Sequence, residues 1–155
     1  MKLITVRELF KETDKYLNKE ITIGAWIRSN RDSKNFGFLS LSDGSYFEQI
    51  QVVYHDTLDN FSQIAKSNVG AALIITGTLV PTPQAKQAFE IQATKIEVEG
   101  ESNPDFPLQK KRHSMEYLRT ISHLRPRTNT FSAVFRVRSV LAYAIHKFFQ
   151  ENNFV

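Results

Sequence analysis

Apolar residues recur at every second position in five separate stretches of this chain, and only once between them does the spacing turn helical. Ile21, Ile23, Ala25 and Ile27 alternate with Thr22, Gly24, Trp26 and Arg28, a period that sends successive side chains to opposite faces of a strand. A polar turn over 30–35 leads to a second such stretch, Phe36–Ser42. Asp43-Gly44-Ser45 is hairpin punctuation, and a third strand is expected around 48–54. Leu58, Phe61, Ile64 and Ala65 then fall at helical spacing. Positions 71–80 and 88–98 return to β-branched strand sequence across a loop at 81–87. Upstream, Thr5-Val6-Arg7-Glu8 reads as a capping box with Ile4 and Leu9 at staple spacing, so a helix over about 6–17 is expected. Helix, three strands, helix, two strands is a mainly β connectivity. It fits a five-stranded OB-fold barrel, closed in Greek-key order, with an N-terminal helix and a helix between strands 3 and 4.

The segment beyond the barrel has a different charge. Residues 1–109 hold 11 Lys/Arg against 14 Asp/Glu, a net of −3; residues 110–155 hold 9 against 2, a net of +7. From Lys110 to Arg138 eight basic residues face one acid, Glu116. Two parts with such different fields have different tasks. Between them, GESNPDFP at 100–107 carries turn formers, acids and two prolines that exclude a helix. Farther along, His113 to Leu124 has helical spacing, Arg125-Pro126-Arg127 interrupts it, and Thr130 is the expected cap of a long last helix. That helix, about 130–152, carries Phe131, Val134, Phe135, Val137, Val140, Leu141, Ala144, Ile145, Phe148 and Phe149. Its apolar surface is wider than the stripe of a helix lying on one small barrel and calls for a partner to cover it.

The barrel face suggests what could bind there. If Leu39 and Leu41 fill the core, Phe36, Phe38 and Ser40 point outward, and Gln49 and Gln51 lie opposite Ile50 and Val52 on the next strand. Trp26, Arg28 and Arg31 flank them. Rings stack on any base and amides choose among bases, so such a surface suits unpaired nucleotides. The net charge of −3 over the barrel argues against a protein that coats strands through their phosphates. Each residue also has a plainer reading: Phe36 and Phe38 as packing, the arginines as solvated charges, Trp26 as core on a bent strand. The four histidines have no ligand spacing, so no metal site is expected. No phosphate loop, nucleophile elbow or zinc-hydrolase signature appears. With no cysteine, no signal-peptide core and no apolar run near the ~20 residues of a membrane span, a cytoplasmic protein is expected.

Four segments, GAWIRSNRDSKNFGFLSLSDGS at 24–45, IQVV at 50–53, TPQAKQAFEIQATKIEV at 82–98 and KRHSMEYLRTISHLRPRTNTFSAVFRVRS at 111–139, together resemble the asparaginyl-tRNA synthetase family, of class II. The last is the most specific; the barrel segments are shared with aspartyl and lysyl enzymes. The resemblance implies an anticodon-binding domain over 1–100, a hinge over 101–112, and the start of a catalytic domain over 113–155 that breaks off within motif one. It implies Phe38 as the ring stacked on the middle uridine of the anticodon, Arg31 as a basic contact and Gln51 as a reading amide. Arg28 lies on the basic rim, and Gln87 and Glu90 are candidates for a neighbouring base. It further implies a longer enzyme that uses ATP and Mg2+ to join asparagine to tRNA(Asn), as a homodimer through the 130–152 helix. No catalytic residue, metal site or cofactor is expected in these 155 residues. An aspartyl-tRNA synthetase, or a non-catalytic OB module binding single strands, would share the same barrel.

Overall fold

The computed structural model describes residues 3–85 and 87–155. They divide into two compact units, Met1–Lys111 and Arg112–Val155. In the first, strands β1 (Glu20–Asp32), β2 (Phe36–Ser42), β3 (Ile50–His55), β4 (Ala72–Pro81) and β5 (Phe89–Gly100) close a barrel in the order β1-β2-β3-β5-β4. β1 is long enough, at 13 residues, to pair with β4 through its first half and with β2 through its second. The barrel closes where β3 meets β5 in parallel, with Val52 opposite Ile91 and Val53 opposite Gln92. Alternation holds on the strands that matter: Leu39, Leu41, Ile50, Val52, Leu73, Ile75, Leu79 and Ile91 are all buried in one core. Burying each such side chain is worth about 1.5–3 kcal/mol.

The N-terminal segment forms two short helices, α1 (Val6–Lys11) and α2 (Thr13–Tyr16), where the sequence suggested one. The capping box is formed, with Thr5 N donating to the Glu8 carboxylate at 2.8 Å and Glu8 N donating to Thr5 Oγ1 at 3.2 Å. The break comes at Glu12, whose φ of −126° and ψ of 38° are not helical. Next to it the Thr13 hydroxyl donates to Leu9 O at 2.8 Å, taking the carbonyl that its own N–H would claim in an unbroken helix. α1 is also capped from outside: Asp43 Oδ2 accepts from Val6 N at 2.8 Å and Ser45 Oγ from Arg7 N at 3.0 Å. Asp43 and Ser45 therefore do more than turn the chain. They open a seven-residue connection between Ser42 and Ile50, not a tight hairpin.

α3 (Phe61–Ala65) plugs one end of the barrel through Ile64, which is fully buried. It begins later than the helical spacing from Leu58 suggested, because Leu58 N bonds back to His55 O in a turn. The stretch after β5 stays on the first unit: Asn68 Nδ2 donates to Ser102 O at 2.9 Å, and Leu108 is buried.

In the second unit, α4 (Met115–Thr120) is capped by Ser114, whose Oγ accepts from Tyr117 N at 3.2 Å. It is shorter than the 113–124 expectation, and Arg125–Arg127 forms a 3-10 turn with proline inside it. α5 (Asn129–Glu151) runs 23 residues, about 34 Å. Its cap is Thr128 rather than Thr130, because Thr128 is the last extended residue and its hydroxyl accepts from Phe131 N. No residue of α5 is buried, and Val137, Val140, Leu141, Ile145 and Phe148 are each more than half exposed. Among the described residues, no helix is long and apolar enough to cross a membrane.

Candidate nucleic-acid interface

The outer face of β1, β2, β3 and β5 is assembled by register. Arg31 lies opposite Phe38, Ser40 opposite Gln51, Phe38 opposite Val53, and Val53 opposite Gln92. Outward parity on β5 adds Glu90 two residues before Gln92. The row therefore crosses four strands with an aromatic ring and a basic group at one side and amides and a carboxylate at the other.

Arg31 reaches this face only because β1 contains a bulge. Up to Ile27 the odd-numbered residues point inward; the register then slips between Ile27 and Ser29. Arg28 takes up the extra position and the parity reverses. Asn30 turns into the barrel end, where its Nδ2 donates to Ile64 O at 2.8 Å and its Oδ1 accepts from the Tyr54 hydroxyl at 3.0 Å. Arg31 turns out, with its guanidinium carbon 5.9 Å from the Phe38 ring centre, at the outer limit of a cation–π contact.

Phe38 is half-buried, neither sealed nor loose. Phe36 meets it in a T-shaped contact with ring centres 5.4 Å apart, which steadies the pair on the outer face. Beside it, Val53 is only 7% exposed yet stands outside the main core, giving the outer face a small apolar floor. Gly37, between the two rings, is buried directly over Tyr54; a Cβ there would overlap the Tyr54 ring. Tyr54 is fully buried, and burial pushes its phenol above the ordinary tyrosine value. Trp26 is 39% exposed and opposite Ser42 and Ala72, so it belongs to the outer surface, not the core.

The polar side of the row is bonded internally. Gln51 Nε2 donates to Glu90 Oε2 at 2.8 Å. Gln87 uses both ends of its amide on β3: its Oε1 accepts from Gln51 N at 2.9 Å and its Nε2 donates to Gln49 O at 2.6 Å. It thus ties the β4–β5 connection to β3 beside the site. Ser40 Oγ donates to the Gln49 side chain. Of the candidates read from sequence, Arg31, Phe38, Gln51 and Glu90 come together on one surface, and Gln87 borders it. Arg28 occupies the bulge. Missed from sequence were Val53, which period-two counting from Gln51 would have put on this face, and Asn30, which only the bulge turns inward.

The family described as OB-fold nucleic acid binding domain matches residues 21–99, just over half of the chain. Along its whole length the chain is 64% identical to an asparagine–tRNA ligase of Acetivibrio thermocellus, and over 99% of it 60% identical to that of Clostridium beijerinckii. These matches cover 34% and 33% of the two relatives, so the chain spans about a third of their length. A crystal structure of asparaginyl-tRNA synthetase from Pyrococcus horikoshii superposes over 97% of this chain and 36% of its own, with a TM-score of 0.85 at 20% identity, a likeness of fold.

Proposed function

We propose, for a chain that belongs to the family of OB-fold nucleic acid binding domains, that its barrel binds the anticodon loop of an asparagine tRNA. The observation that carries this reading is the half-buried Phe38 ring on the outer face, braced by Phe36, with Arg31 and Gln51 on the neighbouring strands. The middle base of the anticodon stacks on Phe38, Arg31 offers charge to the same nucleotide, and the Gln51 amide contacts the edge of the base. Arg28 and Gln87 lie at the margin of the footprint. A stacked base is worth about 1–3 kcal/mol, enough to anchor one splayed nucleotide on a barrel that is not basic overall.

The chain is the anticodon-binding end of a longer asparagine–tRNA ligase of the cytoplasm, whose remaining length activates asparagine with ATP and transfers it to the tRNA. ATP and Mg2+ are used by that longer protein; among the described residues no group of three His, Cys, Asp or Glu could hold a metal ion. The exposed apolar surface of α5 supports a homodimer interface in the longer protein. Titration of this chain with an asparagine anticodon stem-loop tests the reading. Phe38→Ala should weaken binding by about 1–3 kcal/mol; an unchanged affinity by calorimetry would remove the ring from the site and the reading with it.

A further inference from the structure

The Gln51 amide is not free to turn. A side-chain amide has one accepting end and one donating end, and in isolation it could offer either to a base. Here one end meets Glu90 Oε2 at 2.8 Å. A carboxylate only accepts, so the end facing Glu90 must be the nitrogen, and the oxygen is turned the other way. The bond is charge-assisted and therefore among the stronger ones a half-buried pair can make. The backbone on both sides of the bond is held: Glu90 stands opposite Val80 within the β4–β5 ladder, while Gln87 fastens the backbone at Gln51 to the adjoining connection.

We infer that Glu90 is a positioning residue that fixes the polarity of Gln51, so that the site presents an acceptor oxygen to the stacked base. An acceptor selects a base whose pairing edge carries a donor. Uridine has one at N3–H; cytidine has a bare, accepting N3 at the same place. Discrimination between these two pyrimidines would then depend on an anion that itself need not touch the RNA. The inference rests on the anticodon reading above and gives Glu90 a role other than direct contact with a neighbouring base.

The experiment measures binding of this chain to two stem-loops that differ only in uridine or cytidine at the middle position. Glu90→Gln keeps the shape but can donate as well as accept, so the Gln51 amide loses its fixed sense. The preference for uridine should fall about tenfold, the worth of one charge-assisted hydrogen bond, with the folding midpoint unchanged. In a Gln51→Ala background the same change should have no further effect. Equal losses in both backgrounds would mean that Glu90 contacts RNA itself, and no loss of preference in either would mean that it orients nothing; both overturn the inference. Should Phe38→Ala also leave affinity intact, the anticodon reading fails, a result distinct from either.

Discussion

At the residue scale, Tyr54 shows how tightly the interior beneath the site is specified. Its ring fits only because position 37 lacks a Cβ, and its hydroxyl ends on Asn30. Burial raises its pKa above 10.0, so the folded protein keeps the phenol protonated after an unfolded chain would ionise it. Folding then holds the proton more tightly, and this contribution is present below about pH 10 and lost as pH climbs past it. Stability measured by urea denaturation should fall in that alkaline range. Tyr54→Phe should show a shallower fall, at a cost of about 1 kcal/mol at neutral pH for the lost hydrogen bond. Little of this is visible in sequence: Gly37 reads as an ordinary strand residue, and the clash it avoids comes from a neighbouring strand. Phe38 and Gln51, by contrast, are placed on the outer face by parity alone, since β2 and β3 are regular.

At the scale of elements, what was legible and what was not divides along one line. The strands β2, β4 and β5 begin and end within a residue or two of where alternation puts them, because nothing competes with the ladder there. The helices differ where side chains intervene: Thr13 ends α1 by taking Leu9 O, and Thr128 starts α5 ahead of Thr130. Asn30 is a further case, for it closes the end of α3 from another strand, donating to Ile64 O at 2.8 Å, Ser67 O at 3.2 Å and Ala65 O at 3.3 Å. Ile64 O also accepts from Ser67 N at 3.0 Å, so the amide adds to the few bonds that so short a helix can make at its C-terminal end. Asn30→Ala should destabilise the barrel by about 1–3 kcal/mol, since it also leaves the Tyr54 hydroxyl without its acceptor. Amide hydrogen exchange should quicken over 61–67 first; protection there equal to the parent's would show that α3 is held by packing alone.

At the scale of the molecule, the division at Lys111 separates a barrel with its own core from a segment that ends in an exposed apolar helix. A chain ending at Lys111 should keep the melting midpoint of the barrel and, freed of α5, associate less at high concentration. Sedimentation velocity on the two lengths checks this: a shortened chain that self-associates more would show that 112–155 shields the barrel. The charge contrast across residue 110 announces the division in sequence.

The slip at Arg28 has a consequence for how this strand can change in descent. Without the slip, at unchanged length, the ladder would turn the Asn30 carboxamide outward and drive Arg31 into the hydrocarbon interior, undoing the helix closure and the basic margin in a single event. Loss of the extra residue together with the slip would leave both in place. The length of the first strand and its slip are thus coupled, and a sister barrel with a gap of one at Arg28 should have lost the slip and kept both side chains on their present faces.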